Sequence, residues 1–329
     1  MRVLVTGASG MLGRAVAEHL AARGDQVTVL QRRPSGSPLR EVLGDVADPV
    51  AAAEAAQGQD AVIHLAAKVD VVGPWADYER TNITGTRTLV GAARTAGATR
   101  FVQVSSPSVA HAGASLAGVG AGPADPAHAR GNYARSKAAA EVIALDADGP
   151  ELAVTAVRPH LVWGPGDTQL IGRILQRAHA GRLPIVGRGT NLVDTTYVTN
   201  AVDAIVAALD RIDVAHGQAL VVTNGEPRPI GELIGDICRA GGAPAPRWHV
   251  PARLAWALGA AVEGAMVLSQ TVPGVPAITE PPLTRFLTEQ LSTAHWFDQR
   301  HTHAVLGWTP RVSLAEGLRH LAAGTPSGQ

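Results

Sequence analysis

The chain has 329 residues with 28 basic and 28 acidic side chains, a formal net charge of zero, and no block of like charges. That balance argues against nucleic acid or an anionic membrane and favours a small, weakly charged or uncharged partner. The length exceeds what one layered unit needs, so a ligand-binding domain carrying a second, smaller part is expected. Cys238 is the single cysteine, cannot form an internal disulfide, and falls in the apolar helical pattern of Ile230, Leu233, Ile234 and Ile237, which reads as a buried structural thiol. Met1 runs into Val3-Leu4-Val5, too short an apolar stretch for a signal peptide, so the expected location is the cytoplasm. No metal is expected.

In chain order, short β-branched runs at 3–6, 27–30, 42–43, 61–64, 101–105 and 152–157 alternate with helical patterns at 11–23, 79–97 and 133–146. Near-continuous apolar strands between helices predict an α/β architecture, a doubly wound parallel sheet covered on both faces. Ligands then bind beyond the carboxyl ends of the strands. After 165 the rhythm loosens and proline and glycine become frequent. Residues 1–165 are therefore read as a nucleotide-binding domain to which 191–224 returns, and 166–329 mainly as a smaller, mostly helical substrate-binding part. With no internal repeat or low-complexity linker, the two are expected to interdigitate. The apolar segment 254–272, interrupted by Glu263, is short of the roughly 20 uninterrupted apolar residues a membrane span needs, and reads as a buried or substrate-covering helix.

Thr6-Gly7-Ala8-Ser9-Gly10-Met11-Leu12-Gly13 leaves the first strand and opens the first helix. Glycines at that spacing let the backbone turn sharply beneath a pyrophosphate resting on the helix N-terminus, the Rossmann-type arrangement, so Gly7, Ser9, Gly10, Met11, Leu12 and Gly13 are expected to cradle a dinucleotide. The end of the second strand selects the cofactor. A carboxylate there would hold the adenosine ribose and repel a 2′-phosphate, whereas Gln31-Arg32-Arg33 offers two guanidiniums suited to that phosphate. NADP(H) is expected over NAD(H), with Arg32 and Arg33 as the ligands; the alternative is two solvated loop charges and use of NAD as well. Asp45 and Val46 after the third strand are placed near the adenine, although Asp45 could instead cap the helix starting near Asp48. Leu65, Ala66 and Ala67 after the fourth supply small residues beside the dinucleotide.

Tyr133-Ala134-Arg135-Ser136-Lys137 sets a phenol and an ammonium four residues apart on one helical face. Lys137 can lower the phenol pKa and hold the nicotinamide ribose, leaving Tyr133 to exchange a proton with a substrate oxygen that Ser106 holds.

These residues, with Val104-Ser105-Ser106-Pro107-Ser108-Val109, resemble the extended short-chain dehydrogenase/reductases over nearly the whole chain. The resemblance implies Ser106, Tyr133 and Lys137 as the catalytic set, with Ser105 and Ser108 as fallbacks for the serine. It makes Thr81-Asn82-Ile83 the asparagine motif beside the cofactor, which implicates Asn82. Arg158 to Asp167 is similar to the stretch passing the nicotinamide, which implicates Pro159 and Val162. It also implies a homodimer through the helices at 79–97 and 133–146.

Within the family, nucleotide-sugar epimerases and dehydratases carry an arginine where this chain has Val193, ahead of Asp194, and loss of that guanidinium weighs against a sugar diphosphate. Asn224-Gly225-Glu226-Pro227, Pro281 to Phe286, His295-Trp296-Phe297-Asp298 and Leu306-Gly307-Trp308 resemble the 3β-hydroxysteroid and sterol-4-carboxylate 3-dehydrogenase branch, and the bacterial reductases of 2-alkyl-3-oxoalkanoates above all. That resemblance implies reduction of a hydrophobic β-keto acid. The alternatives are oxidation of a steroid or sterol 3-hydroxyl, nucleotide-sugar epimerisation or dehydration, and a cofactor-binding regulator or scaffold without catalysis. A carboxylate-bearing substrate would need a partner, for which Arg285 and His160 are the candidates, and 254–272 could wall its apolar pocket.

Overall fold

Alternation within the first strand already divides the molecule into two cores. In Arg2–Thr6, Val3 and Val5 face one side of the sheet, where they meet Val16 and Leu20 of the helix Met11–Ala22 and Ile205 and Leu209 of the helix Val198–Asp210. Leu4 faces the other, with Val62, Phe101, the alanines of the helix Pro49–Ala56, Leu89 of Gly85–Thr95 and Ala144 of Gly131–Leu145. Burial on both faces explains why these strands carry β-branched residues at nearly every position. The structure, a computed structural model, describes residues 1–70, 72–271 and 285–324; the side chains of 266–271 and 285–287 lie outside that description.

The main sheet has seven parallel strands in the order Ala219–Val222, Ala153–Pro159, Arg100–Val104, Ala61–His64, Arg2–Thr6, Gln26–Gln31 and Arg40–Leu43. The winding reverses between Arg2–Thr6 and Ala61–His64, so a crevice opens beyond the carboxyl ends of those two strands. Gly7 lies there with φ +78°, and a Cβ on it would come within 2.7 Å of the Ala66 backbone nitrogen. No side chain fits between the two loops.

A third apolar cluster joins Trp163 and Tyr197 to the helices Ile171–His179, Ile230–Ala240 and Leu314–Gly324, and the buried Cys238 belongs to it. A second, four-stranded sheet runs Arg228–Pro229, Leu192–Val193, His295–Phe297 and Leu116–Val119. It aligns His295 with both Val193 and Leu116. Among the described residues no helix is long and apolar enough to cross a membrane. The described part of Ala252–Thr271 leaves Leu254, Trp256 and Leu258 exposed.

The helix Gly131–Leu145 is locked to the sheet by a buried ion pair. Arg158 Nε donates to Glu141 Oε2 at 2.8 Å, Nη2 donates to Oε1 and Nη1 to the Ala121 carbonyl, with both side chains 1% exposed. Removing one member of such a pair strands the other charge in a dry interior. Glu141→Ala is expected to lower unfolding free energy by about 3–5 kcal/mol, read as a lower denaturant midpoint. A loss under about 1 kcal/mol would mean that water reaches Arg158.

Candidate active site

One cleft of about 1470 Å³ opens over the crevice. Gly7, Ser9, Gly10, Met11, Leu12 and Gly13 floor one end, followed by Arg32, Arg33, Asp45, Val46, Leu65, Ala66 and Ala67. Gly10 caps the helix Met11–Ala22 without a side-chain hydrogen bond, so the first-turn N–H groups remain available to an anion. A Cβ on Gly13 would strike the Gly7 carbonyl at 2.3 Å, so a close-packed turn of backbone is obligatory here. The cradle fits a dinucleotide pyrophosphate.

At the far end of this cradle Gln31 is buried, donating through Nε2 to Glu41 at 2.8 Å, and Glu41 also accepts from Ser35. Its carboxylate is thereby turned to its own loop while Arg32 and Arg33 stand exposed. Arg14 of the first helix joins them on the cleft wall, a residue that sequence reasoning passed over because nothing local relates it to the second strand. Asp45 accepts from the Ala47 N–H at 2.9 Å and pairs with Arg80 at 3.1 Å; Asp48 is the residue that caps Pro49–Ala56.

Midway along the cleft Ser106, Tyr133 and Lys137 come together. Ser106 caps the 3-10 turn Pro107–Ala110, and its hydroxyl is 3.0 Å from that of Ser108, whereas Ser105 has a buried hydroxyl without a partner among the described residues. Lys137 is buried on the helix one turn after Tyr133 and donates to the Val104 carbonyl at 2.6 Å. Burial lowers its pKa to about 8, against the attraction of Glu141. Burial raises the Tyr133 phenol above its ordinary value, and the adjacent Ser106 hydroxyl opposes that rise. The phenol therefore stays protonated at neutral pH, ready to donate.

Asn82 sits elsewhere. It is buried in the π-helical turn Glu79–Thr84, away from the cleft lining, where Oδ1 accepts from Lys68 N at 2.7 Å and Nδ2 donates to Ser136 Oγ at 2.8 Å. It joins the loop after the fourth strand to the catalytic helix. A second buried relay, missed in the sequence, links Thr6 Oγ1 to His64 Nδ1 at 2.7 Å and His64 Nε2 to Thr86 Oγ1 at 3.1 Å. Burial, with Lys137 nearby, pushes His64 down to about 3, so it is a neutral hydrogen-bonding strut.

Pro159, His160 and Val162 line the cleft where it widens. Beyond them the wall is Leu170, Ile174, Leu183, Leu233, Ile234 and Ile237, with Arg173 and Arg177 on the same helix as Ile174. The expectation for 254–272 is corrected over 254–265, which do not line the cleft; the side chains of 266–271 and residues 272–284 lie outside the described residues. Arg285 opens the helix Arg285–Ser292, but its side chain is outside the described residues.

A glycine turn that fits a dinucleotide, a Tyr-Lys pair and a strand-end serine along one cleft together define an oxidoreductase of the short-chain dehydrogenase/reductase type. The model of the NAD dependent epimerase/dehydratase family matches residues 3–223, and the chain belongs to that family. Over 98% of its length it is 40% identical to a 2-alkyl-3-oxoalkanoate reductase of Stenotrophomonas maltophilia, 99% of which is covered. It is 30% identical to a 3-beta-hydroxysteroid dehydrogenase of Mycolicibacterium neoaurum, with 96% and 89% of the two chains covered. Among solved structures, MoeE5 in complex with UDP-glucose and NAD is similar at a TM-score of 0.74, with 27% identity and 98% of each chain covered.

The Lys137 environment sets a pH dependence. Above about pH 8 the free enzyme loses the Lys137 charge, so kcat/KM for the dinucleotide should fall on an alkaline limb centred near 8. Glu141 favours the charged ammonium, so Glu141→Gln should move that limb to lower pH. A limb that stays in place in the variant would detach it from Lys137.

Proposed function

We propose that this chain reduces the ketone of a hydrophobic β-keto acid, a 2-alkyl-3-oxoalkanoate, with NADPH as hydride source. The observation that carries this reading is one continuous cleft running from the glycine cradle past Ser106, Tyr133 and Lys137 into an apolar chamber. The relatives acting on such substrates, by their names, support it over the full chain length.

Gly7 to Gly13, Arg32 and Arg33, Asp45, Val46 and Leu65 to Ala67 hold the dinucleotide, which when bound supplies the hydride. Pro159 and Val162 border its nicotinamide end. Ser106 donates a hydrogen bond to the ketone oxygen, and Tyr133 delivers the proton to it as the carbonyl carbon is reduced. Lys137 stabilises the phenolate left behind and reaches the ribose hydroxyls; Asn82 keeps the catalytic helix in register. The substrate's carboxylate meets Arg285 or His160. The preference for NADP(H) rests on the arginines around a neutral Gln31, the division near residue 165 on the return of the chain to the sheet, and a homodimer on the helices Gly85–Thr95 and Gly131–Leu145. The location proposed is the cytoplasm.

Oxidation of a 3β-hydroxysteroid is the second reading, favoured by the same apolar chamber and by the steroid dehydrogenase relative. A sugar diphosphate is disfavoured because Val193 lines the cleft in place of a guanidinium.

The test is turnover of a long-chain 2-alkyl-3-keto acid, a 3β-hydroxysteroid and a nucleotide sugar with each cofactor. The keto acid should be turned over far better than the others; activity confined to the steroid transfers the assignment. Tyr133→Phe should reduce turnover by about 10² to 10⁴, and a variant keeping more than about a tenth of the activity removes Tyr133 from the mechanism. Arg32→Ala should weaken NADPH binding by roughly 1.5–3 kcal/mol and leave NADH nearly unchanged. Equal losses for the two would mean that Arg32 meets no 2′-phosphate.

A further inference from the structure

Three histidines from three elements meet, one of them on the turn that Ser106 begins. His111 ends the turn that Ser106 begins, His160 follows the strand Ala153–Pro159, and His295 opens the strand His295–Phe297. The His111 and His295 ring centroids are 5.0 Å apart, those of His160 and His295 are 5.8 Å apart at 29°, and Phe297 meets His160 edge-on at 5.3 Å. His160 and His295 line the cleft. His111 is fully buried and is not part of the cleft lining, with the Ala114 backbone beside its ring. Leu161, directly after His160, is the one non-glycine residue with positive φ among those described, at +44°. Backbone strain of this kind persists where the chain must aim a particular side chain.

The hydrogen bonds decide which nitrogens carry protons. His160 Nδ1 lies 2.6 Å from the Asp194 carbonyl oxygen, which can only accept, so Nδ1 bears the proton and Nε2 keeps a bare lone pair. Thr293 Oγ1 donates to the Glu289 carbonyl at 2.6 Å and is left to accept from His295 Nε2, also at 2.6 Å, so His295 Nδ1 is bare as well. Among the described residues the hydrogen bonds of these two rings run through His160 Nδ1 and His295 Nε2, which leaves the bare nitrogens to the cleft. The neutral pair thus offers two acceptors and no donor. A carboxylate is likewise an acceptor only, and two acceptors meet only with a proton between them.

We propose that His160 and His295 form the subsite for the carboxyl group of the substrate, and that they take this group together with one proton from solvent. The inference rests on the β-keto acid reading. One carbon separates the carboxyl group from the ketone, so its partner must lie in the same cleft as Ser106 and Tyr133, which His160 and His295 both line. Arginines would hold the anion without a proton, and Arg173 lies with the apolar wall on the helix Ile171–His179.

The groups facing the pair keep it neutral until the acid arrives. Burial above all holds His160 at about 4, against the Asp194 carbonyl bond and with His111 adding to the depression. Burial, then His160 and His111, holds His295 at about 3. The Asp194 carboxylate is spent on Thr223 Oγ1 and the Thr195 N–H, and Glu289 faces both His111 and Arg130, the latter at 3.9 Å. Tyr133 and Lys137 line the same cleft.

The test needs no reaction. A 3-hydroxy acid is bound to enzyme saturated with NADPH, a pair that cannot exchange hydride, and calorimetry in buffers of different ionisation heat counts the protons taken up. Close to one proton per acid near pH 7.5 and none for its methyl ester is expected, with KM for the keto acid rising with pH by up to about tenfold per unit. His160→Gln and His295→Gln replace an acceptor with an amide that can donate, so each should reduce the proton uptake and flatten the KM profile while the melting temperature reports on folding. Acid binding without proton uptake in the wild-type enzyme overturns the inference. So does uptake that persists in both variants, or that disappears instead in Arg285→Gln or Arg173→Gln. If keto acid and ester are both refused and a 3β-hydroxysteroid is accepted, the functional reading has failed and the subsite falls with it; turnover of the acid without proton coupling sinks the subsite alone.

Discussion

A buried ammonium governs the organisation of this protein. Lys137 is buried, and an unpaired charge in that setting would neutralise itself. The Val104 carbonyl at the end of one central strand accepts its hydrogen bond, and Glu141, one helical turn on, supplies the opposing charge. Glu141 in turn has Arg158 from the next strand. The helix Gly131–Leu145 is therefore tied to two neighbouring strands through the same charges that favour a charged Lys137. Packing and chemistry have one cause here.

From that centre the cleft changes character along its length. At the adenosine end exposed guanidiniums stand in water, suited to a charged group that remains partly solvated. At the glycine turn the cleft floor is backbone, because neighbouring main chain excludes a Cβ at Gly7 and Gly13. Past Tyr133 the lining turns apolar, supplied by helices that arrive late in the chain. A substrate with one polar head and a large apolar body fits that gradient, since only the head needs hydrogen-bond partners.

Two expectations show where local character stops being informative. Residues 254–272 are apolar enough to wall a pocket, but hydrophobicity carries no address. The described part of that helix leaves Leu254, Trp256 and Leu258 exposed, and the chamber is lined by Leu170, Ile174, Leu233 and Ile234 instead. Asn82 makes the same point for a polar residue. Its neighbourhood on the helix was evident, but the direction of its side chain depended on the π-helical turn Glu79–Thr84, and it grips Lys68 and Ser136 rather than lining the cleft.

What the sequence by itself determined is local: the glycine spacing before the first helix, the phenol and ammonium one turn apart, the serine at a strand end and the alternation that makes a parallel sheet. Each depends on residues a few positions from one another, where backbone geometry alone sets their relation. Only the tertiary structure decided that His111, His160 and His295 form one cluster, that Arg14 lines the same cleft as Arg32 and Arg33, and that Glu141 answers Arg158. These contacts are set by strand pairing across long loops, as in the register of Val193 and Leu116 with His295, and no periodicity records which distant strands will pair.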